Sequence, residues 1–238
     1  MRLLVANPNS TEAITEACVA LARDAASPGT EILPWTNRDG PPVIDSVYAD
    51  YMAGRPLVRG LLQARPLPDA VVLAGFGNYG TAGVKEVLDV PVIGMAEAAM
   101  TLALPLCHRF AIVTTAARLI AYTEDMVRLA GLGGRCATVR AVNLPLITEP
   151  APPCDQVVAD LARHVEAARS EVGADLVILG GSRLSLYAAR LRRLTPVPIL
   201  EPVACAVQVA EALVRLGLRQ SKVGKFAPPP RPLPEYGD

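Results

Sequence analysis

The sequence lacks a net charge and a long apolar run, and each absence excludes a class of partner. Lys plus Arg equals Asp plus Glu, 23 of each, so no net field draws nucleic acid or an anionic membrane surface. No stretch approaches the roughly 20 apolar residues that a membrane-spanning helix needs. The N-terminal residues show no signal-peptide pattern. We therefore expect no nucleic-acid partner, no membrane partner and a cytoplasmic location.

Cysteine and histidine are also scarce. The five cysteines are odd in number and widely scattered, and no pair has the spacing of metal ligands, so we predict no metal site and no disulfide framework. The two histidines are predicted to have no catalytic role. These residues are Cys18, Cys107, Cys136, Cys154, Cys205, His108 and His164.

Apolar, β-branched runs alternate with helix-length segments along the whole chain. Examples of the runs are "RLLVA", "DAVVLAG" and "ADLVILGG". Near-continuous apolar strands that alternate with helices indicate parallel sheets covered on both faces. The sequence therefore predicts an α/β fold, and 238 residues are enough for a sizeable core.

The chain also repeats itself at one offset. Asp69 in "PDAVVLAGFGNYG" matches Asp175 in "GADLVILGGSRLS", 106 positions later, and Arg2 matches Arg109 at an offset of 107. A third matched pair is "VPVIGMAEAA" and "VPILEPVACA". This repetition predicts two pseudo-symmetric α/β lobes. We assign residues 1–98 with 204–238 to the first lobe and residues 99–203 to the second, and expect the proline-rich end, "APPPRPLPEYGD", to be an extended tail or an arm on a neighbouring lobe or subunit.

Duplication predicts where a ligand binds. In open α/β sheets, ligands bind beyond the carboxyl ends of the strands. Two such lobes facing each other would enclose a small cleft, lined by the loops "NPNST", "GFGNYG", "TTAAR" and "GGSRLS". A further segment, Asn37 to Asp39, could form either a flap over this cleft or a plain turn.

One of these loops, "LAGFGNYG", contains the glycine pattern of a dinucleotide-binding turn. Glu97 follows Gly77 at about the distance of the acidic residue that holds a ribose, which favours that interpretation. The equivalent loop of the repeat, "GGSRLS", keeps only the first glycines, and the segment after Gly80 is a short helix. We therefore expect no dinucleotide, and interpret the glycines as points where backbone approaches a small ligand or takes a positive φ.

Several motifs together resemble one family. They are "LLVANPNST", "DAVVLAGFGNYG", "PVIGMAEAAM", "FAIVTT" and "LVRLGLRQSKVGKFAPP". In order and spacing they resemble hydantoin and allantoin racemases of the aspartate/glutamate racemase superfamily. The resemblance implies two flavodoxin-like lobes with the active site between them, and neither a metal nor an organic cofactor. It also implies a small carboxylate or cyclic imide as substrate, and a homo-oligomer.

The chain departs from this family at the two positions that carry its chemistry. Those racemases have one cysteine in each facing loop, and the matching positions here are Gly75 and Gly181. Glycine cannot carry a proton, so the two-thiol mechanism is predicted to be absent. Arylmalonate decarboxylase, in the same superfamily, has glycine in the first loop but keeps the second cysteine. The resemblance therefore predicts that Gly75→Cys with Gly181→Cys restores detectable racemisation.

The polar residues of the four loops are the candidate ligand contacts. Backbone N–H groups at a helix start favour an anion, although the polar residues of the first loop could also be simple N-caps. The matching family positions hold a carboxylate or ring carbonyls. The predicted substrate-binding residues are Asn9, Ser10, Thr11, Gly75, Asn78, Thr114, Thr115 and Gly181.

Proton transfer needs a group other than cysteine, and we predict Tyr79, Ser182 and Arg183 as the catalytic residues. Tyr79 is the candidate general acid or base, or else a ring that closes the pocket. Arg183 could pair with a carboxylate, or be a solvated surface residue. Further candidates are Tyr122, Glu97, Ser185 and Tyr187. Two functions remain open: an enolate-forming decarboxylase, lyase, cyclase or isomerase, and a non-catalytic binding protein derived from a racemase.

Overall fold

A computed structural model describes residues 1–144 and 154–231 and contains two four-stranded parallel sheets. The first has the strand order β2-β1-β3-β4 and the second β6-β5-β7-β8, so the two orders are equivalent. The strands are β1 (Arg2–Asn7), β2 (Glu31–Thr36), β3 (Ala70–Leu73), β4 (Val92–Gly94), β5 (Phe110–Thr114), β6 (Cys136–Ala141), β7 (Leu176–Gly180) and β8 (Ile199–Leu200).

Helices follow the strands, as the alternation predicts. None of those in the described ranges is long and apolar enough to cross a bilayer. The helices are α1 (Glu12–Ala25), α2 (Val47–Gln63), α3 (Thr81–Val87), α4 (Met95–Ala103), α5 (Ile120–Leu129), α6 (Asp155–Val172), α7 (Ser182–Ser185), α8 (Ala188–Leu191) and α9 (Pro202–Arg215), with a 3₁₀ turn at Ala117–Leu119.

The two lobes share hydrogen bonds as well as strand order. The Asp69 carboxylate accepts the N–H of Arg2 at 2.6 Å, and the Asp69 N–H donates to the Arg2 carbonyl. In the second lobe the Asp175 carboxylate accepts the N–H of Arg109 at 2.8 Å, and the Asp175 N–H donates to the Arg109 carbonyl. The prediction of two matching α/β lobes with parallel sheets is confirmed.

The lobes are joined by one core between the sheets. Helix α9 packs against α1 and α4 and contacts both β3 and β7. Helices α4 and α9 each contain four alanines, small side chains that let the helices approach closely. The shared apolar cluster includes Leu3 and Val72 from the first sheet with Phe110 and Ile178 from the second. The boundaries assigned after residues 98 and 203 fall inside α4 and α9. The division into domains therefore stays a prediction.

The segment after α9 returns to the first lobe and covers the open edge of its sheet. The Gln220 side chain accepts the Val92 N–H at 3.2 Å and donates to the Val92 carbonyl at 3.0 Å, as a neighbouring strand would. Lys222 donates to the last carbonyls of α3, and Phe226 lies 5.7 Å from the Lys85 ammonium. The segment up to Phe226 is thus an arm on its own first lobe. The arrangement of the predicted tail stays a prediction, since residues 232–238 lie outside the described residues.

Candidate active site

The carboxyl ends of the two sheets face each other and enclose a cavity of about 100 Å³, which we call the interlobe cavity. All four predicted loops contribute to it, together with the segment that leads into α2. Of the predicted site residues, those that border it are Asn9, Gly75, Tyr79, Thr114, Thr115, Gly181, Ser182 and Arg183.

Three predicted substrate contacts do not border this cavity. The Ser10 N–H donates to the Pro41 carbonyl, and the Thr11 hydroxyl donates to the Pro42 carbonyl at 2.8 Å, so both hold the 37–46 loop against the first lobe. Asn78 is exposed and borders a groove on the outer surface between α2 and α5.

Three of the further candidates are also outside the cavity lining. Glu97 lies in the first turn of α4 and pairs with the Lys85 ammonium at 2.7 Å and 2.5 Å. Ser185 and Tyr187 are buried in the second lobe, where Tyr187 belongs to its apolar cluster. Tyr122, by contrast, does border the cavity.

Asn7 organises the first loop, and the sequence analysis missed it. Its side-chain nitrogen donates to the Asn9 side-chain oxygen at 2.9 Å and to the Thr15 hydroxyl at 3.0 Å. The Asn9 oxygen also accepts the Thr11 N–H at 3.0 Å. Because its oxygen is engaged in this way, Asn9 has its NH₂ group left to donate to a ligand. The signal in the sequence was a polar residue at the end of a buried strand.

The ring of Tyr79 occupies the space beside Gly75 and Gly77, in the loop "GFGNYG". Tyr79 has a φ of 35°, in the left-handed region that a bulky residue rarely adopts. A Cβ added at Gly75 would lie 3.0 Å from Tyr79 Cδ2 and closer still to Cε2, and 2.8 Å from Pro8 Cγ. A Cβ at Gly77 would lie 2.7 Å from the Tyr79 hydroxyl oxygen. A phenol thus fills the place of a side chain at position 75.

Two phenols of the site stay protonated at neutral pH. Burial, followed by the nearby Asp50 carboxylate, raises the pKa of Tyr79 well above its usual range. Burial also raises the pKa of Tyr122, and its neighbours Tyr79 and Asp50 add to the shift. Both hydroxyls can therefore donate a hydrogen bond or a proton, but cannot serve as bases.

A hydrogen-bonded chain crosses between the lobes at the cavity wall. The Tyr122 hydroxyl, from α5 of the second lobe, donates to the Asp50 carboxylate of α2 at 2.7 Å. It accepts the backbone N–H of Asn78 at 2.8 Å. The other Asp50 oxygen accepts the backbone N–H of Tyr79 at 2.7 Å. Asp50 and Tyr122 therefore hold the loop that carries the Tyr79 ring.

Asp50 enters the site because α2 begins at the cavity. Ser46 is the N-cap of this helix and its hydroxyl accepts the Ala49 N–H at 3.2 Å, which fixes the first turn, with Asp50, beside the site. Asp45 precedes it and pairs with Arg118 of the second lobe at 3.5 Å. Sequence reasoning missed these two carboxylates, although an N-cap serine before a helix was a readable signal.

The loop before α2 is anchored by one of its predicted flap residues. Asn37 is buried, and its side chain donates to the carbonyls of Pro8 at 2.8 Å and Ala53 at 3.1 Å. Arg38 forms an ion pair with Glu12 at 2.9 Å on the surface. Asn37 thus fixes the start of the loop, whose later residues, 43–46, border the cavity.

In the second lobe, Gly181 and Ser182 open the short helix α7. A Cβ at Gly181 would meet only Thr115 Cγ2, at 3.2 Å, so this position has more room than Gly75. Ser182 hydrogen-bonds the Cys18 thiol in the core behind it. Arg183 is half-buried at the cavity wall, and burial lowers its pKa from the ordinary value while Tyr187 opposes that shift.

The cavity lining in the described part of the chain includes no cysteine. Burial raises the pKa of Cys18 to about 12, although Ser182 lowers it, so this thiol stays protonated in the core. Burial and Glu201 raise the pKa of Cys205 to about 12 as well. Within the described ranges, no group of three or more His, Cys, Asp or Glu side chains could hold a metal.

Comparison with known proteins gives one consistent result. The family model described as Asp/Glu/Hydantoin racemase matches residues 3–210. A hydantoin racemase of Paenarthrobacter aurescens is 34% identical over 233 residues, covering 96% of this chain and 98% of that protein. The allantoin racemase structure from Pseudomonas fluorescens is 37% identical, with a TM-score of 0.93 and 98% of both chains covered. The allantoin racemase structure from Klebsiella pneumoniae is 33% identical, with a TM-score of 0.91. The match covers 98% of this chain and 95% of that chain.

Proposed function

Because the chain belongs to the Asp/Glu/hydantoin racemase family, we propose that it is a cofactor-independent enzyme that forms an enolate from a small carboxylate or cyclic imide. The bond that breaks lies next to a carbonyl or carboxylate, and the reaction is an isomerisation, decarboxylation, elimination or cyclisation. The two-cysteine mechanism is not the one that this chain uses.

A single observation carries the proposal. The interlobe cavity keeps donors from both lobes, while Gly75 and Gly181 stand at the two positions expected for cysteine and the Tyr79 ring fills the space beside the first. A pocket that hydrogen-bonds a developing negative charge can supply the largest single contribution to catalysis. This arrangement supports enolate chemistry with donors in place of thiols.

We assign the donor roles as follows. Asn9, Thr114 and Thr115 bind the carboxylate or ring carbonyls of the substrate. Ser182 and Arg183 stabilise the charge from the second lobe, where a guanidinium suits a carboxylate or an enolate oxygen. Tyr79 is protonated and faces the cavity, so it acts as the proton donor to the enolate from the first lobe.

A second candidate function is a non-catalytic binding protein for a small acid or hydantoin-like ring. The same glycines favour it, because an ancestral racemase would lose catalysis and keep its pocket if both thiols were replaced. The small cavity suits a ligand of few atoms in either case.

Isotope exchange separates the two functions. The protein is incubated in deuterium oxide with 5-methylhydantoin or methylmalonate, and proton NMR follows the signal on the α-carbon while released carbon dioxide is measured. We expect loss of the α-proton signal or release of carbon dioxide above the rate without protein. If neither occurs but the ligand raises the melting temperature by binding the folded state, the binding function is supported instead.

A further inference from the structure

The proposed enolate chemistry requires a proton acceptor, and most groups at the interlobe cavity cannot be one. Tyr79 and Tyr122 are protonated, as argued above. Arg183 carries its charge as a proton donor, and serine and threonine hydroxyls are not bases without a partner. Two carboxylates remain in the described lining, Asp45 and Asp50.

These two carboxylates differ in their partners. Asp45 lies 3.5 Å from the Arg118 guanidinium of the opposite lobe, so this carboxylate is engaged in an ion pair that joins the two lobes. Asp50 accepts hydrogen bonds from the Tyr122 hydroxyl and the Tyr79 N–H, and within the described residues no ion pair joins it to a cationic side chain. Each carboxylate oxygen has room for a second hydrogen bond, so Asp50 can still accept a proton.

We infer that Asp50 is the base that takes the α-proton of the substrate, a role that rests on the proposed function. It borders the cavity from the first turn of α2, on the side where the Tyr79 ring covers Gly75. The two hydrogen bonds, one from each lobe, hold both of its oxygens in fixed positions. A carboxylate held in place at the cavity wall meets one requirement of a general base, which is a fixed position beside the bound substrate.

The step balances without any further reactant. The carbon–hydrogen bond next to the carbonyl breaks, its electron pair moves into the carbonyl as an enolate, and the proton passes to a carboxylate oxygen of Asp50. Reprotonation of the carbon by Asp50 restores the carboxylate and closes the cycle. If the Tyr79 hydroxyl donates the proton instead, the cycle closes when the proton on Asp50 passes to the Tyr79 phenolate. Asp50 also borders the outer groove between α2 and α5, where its proton can exchange with solvent deuterium.

The test compares Asp50→Asn with a matched control on the full chain. Asparagine keeps the size of the side chain and an oxygen that accepts a hydrogen bond, but it cannot take a proton. Asp24→Asn makes the same change at an exposed residue of α1, outside the lining of both the cavity and the outer groove. Exchange of the C5 proton of 5-methylhydantoin in deuterium oxide is measured by NMR, and binding of the same compound by the shift in melting temperature.

We expect Asp50→Asn to slow exchange by about 100-fold or more, the contribution typical of a positioned base, while the ligand-induced shift is retained. Asp24→Asn should exchange at the wild-type rate, and Asp50→Glu should recover part of the loss. An exchange rate in Asp50→Asn close to that of the wild type would overturn the assignment of Asp50 alone. A parallel loss of exchange and of binding would show a positioning role instead of a base. No exchange by the wild-type protein would count against the proposed function itself.

Discussion

Replacing Gly75 with alanine should destabilise the chain, because the new methyl group would overlap the ring of Tyr79. The added Cβ would lie within 3.0 Å of two ring carbons and 2.8 Å from Pro8 Cγ, distances that real Cβ atoms essentially never show. Forcing extra volume into a packed site costs about 1–3 kcal/mol. For a chain of this length that cost corresponds to a fall of roughly 2–12 °C in melting temperature.

Calorimetry measures the predicted fall in melting temperature of Gly75→Ala, and urea denaturation measures its loss of free energy of unfolding. Two further variants test whether overlap with the Tyr79 ring causes the loss. Gly181→Ala is the matched control, since its Cβ would meet only Thr115 Cγ2 at 3.2 Å, and it should cost less than about 1 kcal/mol. In a double-mutant cycle, Gly75→Ala should lower the free energy of unfolding less in the Tyr79→Ala background than in the wild type. The two decreases should differ by at least about 0.5 kcal/mol. If the free energy of unfolding of the Gly75→Ala protein is within about 0.5 kcal/mol of the wild-type value, the conclusion that the Tyr79 ring fills this space is refuted.

Two other predictions concern the thiols and the pH dependence of stability. Gly75→Cys with Gly181→Cys should racemise L-5-methylhydantoin no faster than the wild type in a polarimeter unless Tyr79→Ala is added, because the ring excludes a side chain at position 75; racemisation by the double variant above the wild-type rate would contradict this. The buried Glu211 accepts hydrogen bonds from Ser27, Thr30 and Arg215, and although burial raises its pKa, these bonds lower it overall. Because the folded pKa is the lower one, this stabilisation is present above the unfolded pKa of about 4.3 and is lost as pH falls through the folded value. Glu211→Gln should therefore lower the free energy of unfolding at pH 7 by about 1.5–3 kcal/mol, as measured by urea denaturation. The difference in this free energy between the variant and the wild type should shrink in acid. A difference that stays constant with pH would show that ionised Glu211 is not the source of the stabilisation.

The restoration of activity by two cysteines stays a prediction, and the structure adds a steric condition to it. Both positions are glycine in the sequence, and nothing local distinguishes them. The structure shows that they differ, because Tyr79 lies over Gly75 while Gly181 faces only a threonine methyl group. A third substitution is needed because a residue four positions along the chain folds back onto the first glycine.

The sequence by itself determined the two parallel sheets, their duplication and the four loops that meet between them. Alternation of apolar strands with helices is a local pattern, and the carboxyl ends of parallel strands always lie on one side of a sheet, so the loops could be named before the fold was seen. Asn9, Thr115 and Gly181 were placed at the cavity by this rule.

Only the tertiary structure decided which side chains of those loops face the cavity. Asn78 and Tyr79 are neighbours, yet Asn78 lies on the outer surface while the positive φ of Tyr79 turns its ring inward. Asp50 and Tyr122 come from different lobes and meet because the shared core sets the distance between the sheets. Contacts across that gap depend on packing between segments far apart in the chain, which no local pattern encodes.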